Sequence, residues 1–500
     1  MKTLMRTVTL CAAGLIVAGG LLTVQGNAAV ATPTDSLQHV AILQGWAQDQ
    51  LLCPGGALQG KLTAAVIESV VAGGVQVPGG CDLADIRAAN PNTKLVAYLE
   101  IGFESPATGS TGSAAAFQPS CVSSATSGPN SYDVKYPNGS EVVNPDYTYQ
   151  VMADVSSAGY RSACSSMANT LLSTPSAAGA VTVGAPPTTF DGVMFDDVNM
   201  SPQHGLNIEQ VGAYGSWTTD AQYGDDMNTT ALAVSRSIKS TKPAALVVAN
   251  VGVTPWLSDM SSGRAVNPES GTTSSDEPQR ALALADARLN PAQTRTSSTV
   301  PAIDGFLREF GTQWGNASPM DNPTLNSEMG FNQLVAGRNV GVISHDYAVD
   351  LRNVASTVYT SGATVSDSAA CSASADANAS SIVAAASTRR ASDEALTEAF
   401  ALENRTSAST AIYASVDQAQ PTCQGTGAAE SPTTASVNLS NSLVASLSAK
   451  LATGVYRTSA VTTVSGTNVD VFTLSDGSVI HLNPDTTPAG GYAARSVNVT

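Results

Sequence analysis

The sequence predicts an α/β fold: a (β/α)8 TIM barrel with a small C-terminal all-β appendage. Three observations predict it. Apolar strand-like runs alternate with helical segments along most of the chain, the pattern of a parallel sheet wrapped by helices. Eight such runs can be counted, the number that closes a barrel. Two of them, Phe190-Asp191-Gly192-Val193-Met194-Phe195-Asp196-Asp197-Val198-Asn199 and Ile303-Asp304-Gly305-Phe306-Leu307-Arg308-Glu309, begin with Asp-Gly and reach an acid four residues after the glycine. An open doubly wound sheet is the alternative. No GxGxxG or GxxxxGK[ST] run supports nucleotide binding in such a sheet, and no cofactor is expected.

The elements follow in order. His39 to Trp46 is the first strand, and 57–72 reads as a helix. Asp82 caps a second helix that stops at Asn90-Pro91. Lys94 to Gly102 is the second strand. Residues 104–145, rich in Ser, Gly and Pro, read as a long loop. Tyr149 to Asp154 is the third strand, followed by a helix through Leu172. The Phe190 run is the fourth strand, 220–239 an amphipathic helix, and Ala245 to Asn250 the fifth strand. An excursion over 255–300 contains a short helix near 279–288. The sixth strand ends at Glu309, a helix covers 325–336, and Val340 to Asp346 is the seventh strand. Residues 355–388 are an Ala/Ser-rich loop. A helix at 391–404 leads to the eighth strand, Thr410 to Ala414.

Three regions are expected: a signal at 1–29, the barrel over 30–430 and the appendage over 431–500. In the last, helix signals fade, and Ser475-Asp476-Gly477 sits between two alternating runs as a tight primed hairpin turn. Residues 1–29 carry Lys2 and Arg6, then an apolar run from Val8 to Val24, then small residues at Gly26 to Ala29. That is the make-up of a cleaved secretory signal. The run is short and Gly-rich for an anchor. A secreted, extracellular protein is therefore expected.

Removing Lys2 and Arg6 from the 23 Lys and Arg leaves 21 against 40 Asp and Glu, a net charge of −19. This argues against nucleic acid and anionic membrane as partners and permits neutral or cationic substrates. The six remaining cysteines are an even set in an exported chain, which points to disulfides. Pairing between neighbours (53–81, 121–164, 371–423) is the expectation. A zinc site is the rival, without CxxC or HxxxH spacing to support it.

Side chains alternate along a strand, so Asp196 shares a face with Gly192 and Met194, and Glu309 with Gly305 and Leu307. At similar register in one barrel, the two acids point into the same space. One intervening strand puts their backbones about 10 Å apart. Two carboxyl groups flanking one bond is the requirement for glycoside hydrolysis. Asp196 and Glu309 are thus the candidate catalytic pair. Asp197 alternates to the other side and is expected to orient a loop. Asn199 and Asn250 are candidates for sugar hydroxyls, and Glu100, Asp154 and Asp346 for the pocket lining. The tryptophans Trp46, Trp217, Trp256 and Trp314 follow the first, fourth, fifth and sixth strands, where planar rings would meet sugar faces at the barrel mouth. At least two of them are expected to be exposed there.

The run Asp191-Gly192-Val193-Met194-Phe195-Asp196-Asp197-Val198, with Asn90-Pro91, Leu95-Val96-Ala97-Tyr98, Asp304-Gly305, Glu309 and the tail Asp476 to Pro484, resembles the hypothetical glycoside-hydrolase-like family 15 of TIM-barrel proteins. It is more distantly similar to endo-α-1,4-polygalactosaminidase-type barrels. The similarity runs from about residue 35 to 490. The tail lacks the Arg such proteins carry before the hairpin, and the Ser/Thr/Ala-rich insertions are longer. The resemblance implies a reaction class only, hydrolysis of a carbohydrate; by analogy with barrels that use these two strand ends, Glu309 is expected as acid and Asp196 as nucleophile or base. Two rivals come from other classes: a non-catalytic carbohydrate-binding barrel, and a metal-dependent phosphodiesterase with a cation at Asp196, Asp197 and Asp346. A Ser-His-Asp set at Ser344 to Asp346 lacks a Gly-x-Ser-x-Gly elbow.

Overall fold

The computed structural model describes residues 40–43, 50–104, 120–122, 132–253, 265–266, 273–274, 277–289, 300–346, 394–416, 442–483 and 496–500, apart from short stretches within these ranges. Residues 1–29, where a signal is expected, and Cys371 and Cys423 lie outside the described residues. Eight strands form one sheet in sequence order: β1 (Val40–Leu43), β2 (Ala64–Ile67), β3 (Lys94–Glu100), β4 (Gly192–Asp196), β5 (Leu246–Asn250), β6 (Gly305–Glu309), β7 (Gly341–Asp346) and β8 (Ile412–Val416). Every neighbouring pair is parallel. The last strand returns alongside the first, so the sheet is a nearly closed (β/α)8 barrel. Ile42, Val66, Val96, Met194, Val248, Leu307, Ile343 and Tyr413 fill its interior as one cluster. The alternate residues, such as Val193, Phe195, Val247 and Phe306, pack outward against the helices.

The eight strands are not the eight expected. Part of 57–72 is β2 rather than helix. Ala64-Ala65-Val66-Ile67 is buried on both faces, so it lacks the alternation of a half-exposed strand, and its alanines read as helix formers. Conversely, Val151–Met152 pairs antiparallel with Phe103–Glu104 in a separate ribbon and is no part of the barrel. The two differences offset, so the Asp191-Gly192 strand is still the fourth. The helices fall close to their expected spans: Leu83–Ala89, Ala158–Ser173, Asp220–Thr241, Glu277–Asp286, Asn322–Ala336 and 394–404. Asp82 caps the first of these, accepting from the Ala84 and Asp85 backbone N–H groups in a capping box.

The Asp-Gly echo has a structural cause. The Asp191 carboxylate accepts from the Leu95 N–H of β3 at 2.9 Å and pairs with Arg87. The Asp304 carboxylate accepts from the Val247 N–H of β5 at 2.8 Å and pairs with Lys239 at 2.6 Å. Each aspartate thus hooks the preceding strand at the bottom of the barrel. At Gly192 a Cβ would stand 2.3 Å from the Leu246 carbonyl oxygen, so only glycine permits this approach of β4 to β5.

Disulfides join Cys53 to Cys81 and Cys121 to Cys164, two of the three expected pairs. The second ties the segment after β3 to helix Ala158–Ser173. Breaking it with Cys164→Ser should cost about 2–4 kcal/mol, chiefly by freeing the unfolded chain. The measurement is the denaturant midpoint without reductant; an unchanged midpoint refutes a stabilising role.

The C-terminal segment carries a four-stranded antiparallel sheet, Thr462–Thr463, Asp470–Thr473, Val479–Asn483 and Ser496–Val499 in that order. It also carries helix Ser442–Ala452, which the sequence reading did not anticipate. Val444, Leu447 and Leu451 bury its apolar face. Ser448 donates to Glu398 in the middle of helix 394–404, and the Leu451 carbonyl accepts from Arg405 just past its end. The hairpin at Asp476-Gly477 is a three-residue turn, not a two-residue primed one. Gly477 donates to the Leu474 carbonyl at 3.0 Å with φ +88°, while Asp476 keeps a negative φ.

Candidate active site

The alternation that puts Tyr98, Met194, Val248, Leu307 and Ile343 in the barrel interior puts Glu100, Asp196, Asn250, Glu309 and His345 on the same inner face, one step nearer the C-terminal mouth. Glu100 stands opposite Asp196 in the β3–β4 register. Asn250 stands opposite Leu307, and Glu309 opposite His345. Glu309 therefore sits one layer beyond Asp196, with β5 between their strands. Both acids are half-buried.

Asp196 is held by three donors. Tyr98 Oη donates to Oδ2 at 2.6 Å, Asn250 Nδ2 to Oδ1 at 2.6 Å, and the Asp197 backbone N–H to Oδ1 at 2.9 Å. Burial, and then the Asp197 charge, push its pKa up to about 6 against these donors.

Asp197 does not turn away from the site as strict alternation predicts. The strand ends at Asp196, and Asp197 takes a left-handed φ of +52°. That conformation costs a non-glycine residue of order 1 kcal/mol and is a common mark of functional sites. It brings the carboxylate beside Glu100, with which it shares a hydrogen bond. Asn199 Nδ2 reaches Asp197 Oδ1 at 3.0 Å, and His204 Nε2 reaches the same oxygen at 3.3 Å. Burial alone would raise the Asp197 pKa; these partners together hold it below the usual carboxylate value. Gly102 leaves room for the turn, because a Cβ there would lie 2.9 Å from the Asp197 Cβ.

Other expected site residues fall elsewhere. Asp346 points outward, where Thr397 of helix 394–404 donates to it, because His345 holds the inward register position. It does not meet Asp196 and Asp197, so those three do not form a cation site. Asp154 follows the ribbon rather than a barrel strand and accepts from Ser156, just ahead of helix Ala158–Ser173. Trp217 is buried at 1% exposure, with its indole N–H on Asp226 at 3.0 Å and its ring edge-on to Tyr223. It is a core anchor on helix Asp220–Thr241, not a sugar platform. Trp46 and Trp256 lie outside the described residues. Trp314 lies in the short strand Gln313–Trp314, paired with Ser318–Pro319.

Asn199 and Asn250 are both buried, each with its amide on a carboxylate. Glu100 has no exposed surface. Asn250 holds Asp196 from the neighbouring strand at the same level, and Asn199 and Glu100 hold Asp197. Sequence reasoning missed Tyr98, although its place two residues before Glu100 on one strand face was a usable signal. It also missed His204, for which a loop position offers none. Arg308 pairs with Glu328 at 2.8 Å on the outer face rather than with the catalytic candidates.

No protein-family model matches the chain, and no curated protein matches it in sequence. Among solved structures, the glycoside hydrolase domain of PelA from Pseudomonas aeruginosa is similar at 10% identity and TM-score 0.32, over 62% of this chain and 83% of that one. A psychrophilic glycoside hydrolase family 10 endo-β-1,4-xylanase is similar at 10% identity and TM-score 0.31, over 77% and 88%. The catalytic domain of a GH30 xylanase C from Talaromyces cellulolyticus is similar at 12% identity and TM-score 0.31, over 89% and 82%. At scores this low the likeness carries no argument about substrate or mechanism, and the reading of this chain rests on its own residues.

Proposed function

We propose that this chain is a secreted glycoside hydrolase that cleaves a glycosidic bond in a poly- or oligosaccharide with Asp196 and Glu309. The observation that carries the reading is Asp196 itself. A carboxylate at the inner C-terminal end of a barrel strand, fixed by three donors, with a second inner acid two strands away and one layer nearer the mouth, is suited to nucleophilic or general-base work. Glu309 then protonates the leaving oxygen. Export and the barrel-plus-appendage organisation belong to the same reading.

The first test is reducing-end release across a polysaccharide panel that includes amino-sugar polymers. Saccharide binding without release would favour a non-catalytic binding barrel, and activity lost on chelation would favour a metal-dependent phosphodiesterase. A pH profile follows from the Asp196 value of about 6. The raised pKa means the carboxylate is protonated below that pH and ionised above it. A nucleophile or base must be ionised, so kcat/KM should rise with pH through an acid limb near 6. An acid limb in the ordinary Asp range near 4 would count against Asp196 in that role.

A further inference from the structure

The mouth of the barrel holds more acid than a two-carboxylate reaction uses. Glu100, Asp196 and Asp197 converge, and His204 is the one basic side chain bonded to the group among the described residues. The hydrogen bonds fix where a proton must lie. Glu100 Oε1 accepts from the Gly102 N–H at 2.6 Å and the Phe103 N–H at 3.0 Å. Its Oε2 lies 3.2 Å from the Tyr98 oxygen. Tyr98 has a single hydroxyl proton, and its shorter contact, 2.6 Å, is to Asp196. Glu100 also faces Asp197, a carboxylate that can only accept when ionised. Two acceptors facing each other need a proton between them, and Oε2 is the Glu100 oxygen free of backbone donors.

We infer that Glu100 is a positioning residue held in its neutral, protonated form, whose Oε2–H donates within the Tyr98–Asp197 cluster and thereby fixes Asp196 and Asp197 side by side. The inference rests on Asp196 being the reacting carboxylate. Glu100 is fully buried, so it does not touch substrate. Its surroundings keep the proton on. Burial comes first, then the charges of Asp197 and Asp196, and together they raise its pKa well above the ordinary value. The phenols of Tyr160 and Tyr223, from the two helices behind the site, face the same cluster and stay protonated for the same reason. His204 is placed against Asp197 on one side and the Phe103 ring, 5.6 Å away edge-on, on the other. It secures the ionised partner, as Glu100 secures the neutral one.

Three variants of the full chain test this: Glu100→Gln, Glu100→Ala and Asp196→Asn. Stability is measured by urea denaturation between about pH 5 and about pH 8. A carboxyl whose pKa is raised on folding keeps a proton that the unfolded chain has released, so wild-type stability should fall with rising pH relative to Glu100→Gln, which has no such proton. On a hydrolysed polysaccharide, Glu100→Ala should lower kcat about 10²-fold with KM little changed. Glu100→Gln, whose amide N–H replaces the O–H, should recover roughly tenfold or more of that loss. Parallel stability curves for wild type and Glu100→Gln, or a Gln variant no faster than Ala, would overturn the inference. If Ala does not fold, the Gln stability curve alone decides. If Asp196→Asn keeps its activity, the glycosidase assignment of Asp196 fails, while the stability curves still report where the proton sits.

Discussion

Asp196→Asn should lower kcat on a hydrolysed polysaccharide by about 10²–10⁴-fold, with the fold intact. The amide keeps the size and part of the hydrogen bonding of the carboxylate but has neither its charge nor its basicity. Asn250 Nδ2 and the Asp197 N–H still find the carbonyl oxygen if the amide is turned that way. The amide nitrogen then faces Tyr98 Oη, which can accept where it formerly donated. The cluster is therefore preserved while the chemistry is removed. Glu309→Gln should lose a comparable factor when the leaving group is a poor one. It should lose much less with an activated aryl leaving group, because such a group departs without protonation. The same substrate pair should leave the Asp196→Asn defect large in both cases if Asp196 is the nucleophile or base. Near-wild-type turnover by either variant on both substrates removes that residue from the mechanism.

Lys239→Met should destabilise the fold by about 3–5 kcal/mol. Lys239 and Asp304 are both buried, with side chains 3% and 0% exposed, and they meet at 2.6 Å. Lys239 also donates to the Ala245 carbonyl at 2.6 Å, and Asp304 accepts from the Val247 N–H of β5. Removing the ammonium leaves a buried carboxylate without its counter-charge. Burial already raises the Asp304 pKa, and Lys239 opposes that rise. In the variant the pKa should climb further, so the folded state takes up a proton that the unfolded chain does not hold at neutral pH. The destabilisation should therefore be full near neutral pH and shrink toward the ordinary Asp range near pH 4. Urea denaturation at several pH values, read by fluorescence including that of the buried Trp217, measures this. A cost under about 1 kcal/mol would mean that the pair contributes no more than an exposed one.

The elements legible in the sequence were those set by local pattern. Gly192–Asp196, Leu246–Asn250, Gly305–Glu309 and Gly341–Asp346 are apolar runs of strand length bounded by glycine or polar residues, and all four were read in place. The helix at Leu83–Ala89 was legible because Asp82 and Asn90-Pro91 mark its two ends. β2 was not, because a short strand buried on both faces has no alternation, and Ala64 and Ala65 favour helix as readily as strand. The ribbon strand at Val151–Met152 has β-type residues, but no local pattern says which sheet a strand will join.

For the site, the sequence by itself determined that Asp196 and Glu309 share one barrel face, since period-2 alternation and the Asp-Gly starts fix their direction. The even cysteine count pointed to disulfides, but six cysteines allow fifteen pairings, and it is the fold that brings Cys53 to Cys81 and Cys121 to Cys164. The tertiary structure decided the rest. Asp197 is brought back into the site by one left-handed backbone turn beside Gly102, against the alternation. Glu100 and Tyr98 meet Asp196 only because β3 and β4 pair in the register that sets Glu100 opposite it. Trp217 follows the same strand at a position that looked like the mouth, yet it is buried, because Tyr223 and Asp226, one and two helical turns into the next helix, receive its indole. Strand direction is a local property carried by each residue's own backbone. Which carboxylates share a proton depends on neighbours nearly a hundred residues apart, and only the closed barrel puts them within hydrogen-bond reach.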